Sequence, residues 1–113
     1  MDASILARRD WMELGNGMRL RLLSALEVLQ ARREAEELSQ SERERALCSN
    51  ACLLARALET GEGQAVFSGG REVLSGLRVE EIAALAERWS RFNRSENPAL
   101  TMDAEQAEDV KKN

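Results

Sequence analysis

The clearest pattern in this chain lies in residues 66–98, VFSGGREVLSGLRVEEIAALAERWSRFNRSENP. A turn of small residues and a brief amphipathic stretch lead into a segment whose apolar side chains recur at the period of a helix with one buried face. Those side chains are Ile82, Leu85, Trp89 and Phe92. The pattern predicts an amphipathic helix that ends before Asn97-Pro98.

Composition extends this prediction to the whole chain. Leu and Ala predominate among the apolar residues, and the 113 residues include one proline. Unbranched side chains lose little rotamer freedom in a helix, whereas the β-branched residues typical of strands are scarce here. We therefore expect an all-α domain over residues 1–98, with about three main helices and short helical segments. A flexible, disordered polar tail is expected over residues 99–113.

Two helical segments are predicted near the N-terminus. A short one spans residues 1–14, with Asp10 and Glu13 as a capping pair. The turn Gly15-Asn16-Gly17 follows, and Asn16 is a suitable N-cap for a helix from Met18 to Leu38.

A further helix is predicted up to about Glu59, with Ser41 and Glu44 as its capping box. No glycine or proline enforces a break at residues 39–41, so one continuous helix over residues 18–59 is the alternative. Cys48 and Cys52 lie four residues apart on this helix, where a disulfide between them would be strained. We expect two buried free thiols.

The residue content argues against catalysis. The chain has no histidine and no tyrosine, so the commonest general base is absent and no Ser-His-Asp or Cys-His arrangement can be assembled. The turn Ser68-Gly69-Gly70 lacks the Lys-Ser/Thr of a phosphate-binding loop. Acidic pairs at Glu36-Glu37 and Glu80-Glu81 lie on predicted charged faces. We expect no enzymatic activity, no cofactor and no metal.

Charge and hydropathy bound the partners and the location. The net charge of −4 argues against a general nucleic-acid binder. No apolar run approaches the roughly 20 residues that span a bilayer, and the N-terminus lacks the features of a signal peptide. The sequence therefore predicts a cytoplasmic protein that contacts neither membrane nor nucleic acid.

Interaction with another protein is the remaining class of function. Scarce aromatic residues and helical leucine stripes are the side chains most suited to binding an apolar helix, although for each aromatic residue a place in the core is the alternative. Trp11 is interpreted either as packed on the body or as an exposed docking point. The candidate partner-binding residues are Trp11, Leu22, Leu26, Leu29, Leu47, Leu54, Leu58, Trp89 and Phe92.

Residues 66–98 also resemble the C-terminal part of tail assembly chaperones of long-tailed bacteriophages and prophages. The resemblance lies in Leu77-Arg78-Val79-Glu80-Glu81-Ile82, in the aromatic residues Trp89 and Phe92, and in the ending Asn93-Arg94-Ser95-Glu96-Asn97-Pro98. Residues 31–38 are similar to an early helix of that family. Arg78 departs from the pattern, because a threonine or serine normally caps the helix there, so that Ser75 or a looser start would serve instead.

The resemblance implies a small helical protein that keeps the long tape-measure protein soluble until tail-tube subunits replace it. It also implies weak, exchangeable apolar contacts, self-association along the client, the host cytoplasm as location, and absence from the mature virion.

The family commonly makes a longer product by a −1 ribosomal frameshift near the end of its first reading frame. The codons AAA AAA AAC, which contain a slippery heptamer, can encode Lys111-Lys112-Asn113. Lys111 and Lys112 are the chain's only lysines. An ordinary lysine-bearing tail is the alternative.

Two other functions compete with the chaperone hypothesis. One is a small phage transcriptional regulator or anti-repressor that uses four arginines on nucleic acid: Arg8, Arg9, Arg19 and Arg21. The other is a structural connector that remains in the finished virion.

Overall fold

A computed structural model of the chain describes residues 10–96. Three strands, β1 (Trp11–Glu13), β2 (Met18–Arg21) and β3 (Leu58–Thr60), form one antiparallel sheet in the order β1-β2-β3. Four helices accompany them: α1 (Ala25–Leu38), α2 (Glu42–Ala57), α3 (Gly70–Gly76) and α4 (Val79–Glu96). The predicted all-α class is therefore wrong, because the described part of the chain is an α+β mixed fold.

The first two strands form a hairpin around the turn Gly15-Asn16-Gly17. Gly15 and Gly17 have φ angles of 84° and 82°, in the left-handed region where a Cβ atom is disfavoured. The Asn16 side-chain oxygen accepts a hydrogen bond from the Met18 amide. The Leu14 amide donates to the Met18 carbonyl at 3.0 Å. Asn16 thus shapes a hairpin turn and does not cap a helix.

The two helices predicted near the N-terminus are corrected accordingly. Glu13 lies in β1 and Asp10 immediately precedes it, so they do not cap a helix. The helix expected from Met18 begins at Ala25, where Ser24 and Glu27 form a complete capping box. This pair satisfies two backbone amides at the helix start.

The sheet separates apolar from charged side chains by the alternation of its strands. Antiparallel pairing aligns residues 12, 20 and 58 in one row and residues 13, 19 and 59 in the next. The first row, Met12, Leu20 and Leu58, packs with the core. Charged side chains form the second row on the opposite face.

The predicted break at residues 39–41 is confirmed, and two helices flank it. Ser41 stands at the N-cap of α2 but makes no side-chain capping bond. Glu44 instead accepts a hydrogen bond from the Gln40 amide at 3.1 Å. At its other end α2 stops at Ala57, because Leu58 begins β3.

Helix α4 buries the stripe predicted for it. Ile82, Trp89 and Phe92 are buried, and Leu85 is half-buried against the main core. The Trp89 indole Nε1 donates a hydrogen bond to the Arg21 carbonyl at 2.8 Å. This bond joins α4 to the end of β2.

Arg78 stands where the family pattern has a capping threonine or serine, and a residue of α4 supplies a cap in its place. The Glu81 carboxylate accepts a hydrogen bond from the Arg78 amide at 2.9 Å, which is one half of a capping box. Ser75 does not serve as the cap, because its hydroxyl donates to the Arg71 carbonyl. The helix therefore starts without the expected threonine or serine.

Three helices meet at the Glu34 carboxylate. It accepts hydrogen bonds from the Arg56 guanidinium at 2.7 Å and from the Gly70 amide at 2.8 Å. Cys52 is buried beside it, and a Cβ atom added at Gly70 would collide with the Cys52 sulfur. Burial raises the pKa of Glu34, but its hydrogen bonds and the positive charge of Arg56 together outweigh burial and leave that pKa below its ordinary value.

We expect Gly70→Ala to destabilise the domain by about 1–3 kcal/mol, because the added methyl group overpacks the contact with Cys52. Urea unfolding measures this change. The second substitution Cys52→Ala should recover part of the loss. Gly61→Ala serves as control, since a methyl group added there would lie 3.6 Å from its nearest neighbour, an ordinary van der Waals contact. Equal stability of Gly70→Ala and the parent chain would contradict the packing.

A second ion pair joins α1 to the sheet. The Arg21 guanidinium donates two hydrogen bonds to the Glu27 carboxylate. This contact lowers the pKa of Glu27 from its ordinary 4.5 to about 2. The folded state therefore stabilises the ionised form of the Glu27 carboxylate more than the unfolded chain does.

Stability should consequently fall as pH drops from about 4.5 toward 2, since the lowered pKa of Glu27 stabilises the fold only while the carboxylate stays ionised. Urea midpoints between pH 6 and pH 2 measure the slope. Glu27→Gln should lower the midpoint at pH 6 and flatten the acid slope. Glu36→Gln on the exposed face of α1 should change neither, and identical curves for Glu27→Gln and the parent chain would contradict the assignment.

Candidate functional site

One face of α4 borders two open grooves that meet at Arg88. The larger groove, of about 430 Å³, is lined on α4 by Glu81, Ala84, Leu85 and Arg88. The smaller, of about 360 Å³, is lined on α4 by Arg88, Arg91, Phe92 and Ser95. These positions recur at intervals of three and one, so they share one helical face. We call the two grooves together the α4 furrow.

The hairpin forms the opposite wall of the furrow. Met12 in β1 and Leu14 just after it line the grooves beside α4, and Met18 lines the larger groove from across the turn. All three are half-buried and pack against the main core. The period-two pattern of the hairpin therefore supplies an apolar wall from its tip to its base.

The loop before α3 closes the larger groove. Val66 and Phe67 line it together with Leu77. The Phe67 ring is seated against Gly76, where an added Cβ atom would lie 2.7 Å from the ring. This close approach fixes the loop, because only glycine leaves room for the ring.

The furrow has the chemistry of an apolar peptide site. From Glu81 to Ser95 the helix extends for about 21 Å, roughly four turns of a bound helix. Its floor is apolar, and polar groups stand at the rim, where Arg88 is exposed and Arg91 lies 3.4 Å from Glu87. Such grooves accept the apolar face of an amphipathic helix and orient it by charges at the edge.

The residues predicted to bind a partner are not brought together. Trp11 is 44% exposed on the outer face of the sheet, where the Arg19 guanidinium lies 4.5 Å from its ring centre. Leu26 and Leu29 are exposed on α1, at 60% and 46%. Leu22 is half-buried between β2 and α1. Leu26 and Leu29 lie three residues apart on one exposed face of α1, and neither lines the furrow, so they form a second apolar surface.

The other predicted residues belong to the interior. Leu54 and Leu58 are at most 2% exposed, Trp89 and Phe92 are buried, and Leu47 is half-buried against the core. Of the nine, only Leu58 and Phe92 line the furrow. A partner role for Leu54 and Trp89, which are buried and do not line the furrow, stays a prediction, and it would require the domain to open.

Sequence reasoning missed most of the furrow. The signal was present in the alternation of Met12 with Leu14 and of Met18 with Leu20 on either side of a glycine–asparagine turn. A turn of this kind between alternating apolar residues is a strong hairpin pattern. Met18 also fits the helical spacing of Leu22, Leu26 and Leu29, and this longer helical pattern concealed the hairpin.

The glycine turn and the two cysteines offer no further binding or reactive site. The Gly70 amide at the start of α3 is bound by Glu34, so the glycine turn holds an internal carboxylate. Cys48 and Cys52 are buried and unbonded to each other, as predicted. Burial raises the pKa of the Cys52 thiol to about 12, which leaves it a poor nucleophile.

Across residues 10–96, no group of three or more acidic, cysteine or histidine side chains is placed to hold a metal ion. None of the helices in that range combines the length and the apolar character needed to cross a bilayer. The frameshift residues Lys111-Lys112-Asn113, the tail over residues 99–113, and Arg8 and Arg9 lie outside the described residues.

Comparison of the chain with protein-family models, with curated proteins and with solved structures found no match.

Proposed function

We propose that this domain is a non-catalytic tail assembly chaperone of a long-tailed phage, which binds apolar helical segments of the tape-measure protein in the α4 furrow. The observation that carries the proposal is the furrow itself, an open apolar surface bounded by the hairpin and α4. The resemblance of residues 66–98 to that family supplies the identity of the client. The host cytoplasm is the proposed location, and the tail-tube protein a further proposed partner.

The size and composition of the furrow support reversible binding. An amphipathic client helix of four turns would place two or three apolar side chains on the floor lined by Leu14, Leu85 and Phe92. Each buried apolar side chain contributes about 1.5–3 kcal/mol before the cost of ordering the client is subtracted. Contacts of this strength can be displaced, which a chaperone that hands over its client needs.

The transcriptional-regulator alternative is less well supported by the charged groups. Arg19 is bound to Glu59 at 2.7 Å, and Arg21 is bound to Glu27. A phosphate contact by either guanidinium would have to break an existing ion pair. The connector alternative uses the same furrow and differs in whether the protein stays in the particle, which mass spectrometry of purified virions decides.

Co-expression with the tape-measure protein tests the proposal. Ala84→Glu places a charge on the exposed apolar lining of the furrow, and it should weaken the complex about tenfold or more. Ala83→Glu is the matched control, because Ala83 is the adjacent exposed alanine of α4 and does not line the furrow. Isothermal titration with client fragments measures both affinities.

Both variants should retain the parent stability within about 0.5 kcal/mol, because both positions are exposed. Equal client affinity for the two variants would exclude the furrow as the binding site. A client that is equally soluble without this protein, and forms no complex with it on size exclusion, would exclude the chaperone function.

Self-association is assigned to the second apolar surface. The double substitution Leu26→Ser with Leu29→Ser removes two exposed apolar side chains of α1. We expect it to lower the mass of the client-bound assembly in sedimentation velocity while the affinity per binding site stays unchanged. An unaltered mass would show that copies do not meet through α1.

A further inference from the structure

The two grooves of the α4 furrow differ in charge. The larger groove is mainly apolar on both walls, with Leu14 on the hairpin side and Leu85 on α4. In the part of the chain that the structure describes, the lining of the smaller groove includes Arg88 and Arg91 and no acidic side chain. The furrow therefore changes from apolar to cationic along α4.

Arg88 stands where the two grooves meet. Of the described residues, it is the only one that lines both grooves. Its side chain is exposed, and no ion pair joins it to an acidic residue of the described range. Helical neighbours meet three and four residues apart, and those positions hold Ala84, Leu85, Arg91 and Phe92. None of these side chains can neutralise the guanidinium.

The two acidic residues of α4 nearest to Arg88 in sequence are engaged elsewhere. Glu87 lies 3.4 Å from Arg91. Glu81 accepts a hydrogen bond from the Arg78 amide and lies 3.5 Å from the Arg78 guanidinium. Glu81 is also seven residues from Arg88, or about 10 Å along the helix. Neither carboxylate balances the charge at the junction of the grooves.

The arrangement of the two arginines of the furrow favours an anionic ligand group. Arg88 and Arg91 lie three residues apart on α4, so their side chains are neighbours and their like charges repel each other. A carboxylate beside Arg88 would offset this repulsion. It would also match the planar guanidinium, whose N–H groups can bind both carboxylate oxygens. The junction is thus suited to an acidic side chain.

Helix geometry determines where that acidic side chain belongs on a ligand. Arg88 follows Leu85 by three residues, or about 4.5 Å along the axis of α4. A ligand helix that lies along α4 has the same rise for each residue. If its apolar side chains fill the larger groove, its next residue on the same face, about one turn further, reaches the junction.

We propose that the α4 furrow selects acidic amphipathic helices, with Arg88 as the specificity-determining residue. Such a helix carries apolar side chains for the larger groove and an Asp or Glu on the same face in the adjacent turn. The inference rests on the furrow used in the proposed function, and it names the class of client segment that the furrow takes. A neutral helix leaves Arg88 without a partner, and a basic helix is repelled.

Isothermal titration of the full chain with three synthetic peptides tests this selection. Each peptide is a helix of about four turns, with leucine on one face of two successive turns and Glu, Gln or Lys at the next position of that face. Each is made in both sequence orders, because a ligand helix can lie in either direction. In one order we expect the Glu peptide to bind about fivefold more tightly than the Lys peptide, with Gln between them. Salt at about 0.5 M should reduce this ratio.

Variants of Arg88 assign the selection to that residue. Arg88→Glu should reverse the preference in favour of the Lys peptide, and Arg88→Gln should reduce the ratio of the two affinities to less than about twofold. Both variants should keep the parent urea midpoint, because the position is exposed. Arg43→Glu is the control, since it makes the same charge change at an exposed position of α2 that lines neither groove. It should keep the parent preference.

The outcomes separate this proposal from the chaperone function. Equal affinity of the parent chain for the three peptides, or an unchanged preference in Arg88→Gln, would overturn the charge selection and leave the chaperone function standing. Absence of binding by every peptide would also overturn it, while co-expression with the tape-measure protein still decides the chaperone function. Selection of the Glu peptide without client binding would reject only the chaperone function.

Discussion

The domain depends on how closely other elements can approach α2. The face of α2 toward α1 carries Cys48 and Cys52, which pack against Ala31 and Ala35. Side chains of this size allow two helices to lie near each other over their length, and Gly70 extends the same arrangement to α3. Larger residues would separate the helices and break the contacts of Glu34, which needs the Gly70 amide within hydrogen-bonding distance. The close packing therefore sets the positions of α1 and α3 on α2.

The second constraint is the seating of α4 on the sheet, and it creates the furrow. Trp89 packs in the core and its indole donates to the Arg21 carbonyl at the end of β2, so α4 is held where the sheet ends. The face of α4 that contains Leu85 is then opposed by the narrow hairpin and by the loop that carries Val66 and Phe67. Two short strands and a turn cannot cover about 21 Å of helix, and the uncovered strip remains as a groove. The furrow thus follows from the small area of the sheet.

The sequence was sufficient for the last helix and for the break at residues 39–41, and it was insufficient for the strands, for a physical reason. The stripe of α4 has a long, regular period, and burial of Ile82, Trp89 and Phe92 agrees with it. The strands have three or four residues each, too few to establish a period of their own. Leu58 fits the helical spacing of α2 as well as it fits β3, so only pairing with Leu20 across the sheet decides its conformation. The hairpin forms one wall of the furrow, so a prediction without the strands could not locate the furrow.

The two faces of the hairpin differ in polarity, and this difference indicates which face a partner would bind. On the outer face, Arg19 is held by Glu59, and Trp11 is stacked on Arg19; this face satisfies its own charges. On the inner face, Met12 and Leu14 remain half-buried with an open groove beside them. Desolvating an existing ion pair is costly, whereas covering exposed apolar surface is favourable. Binding should therefore take place on the α4 side of the hairpin, where water is displaced from carbon and no internal ion pair must break.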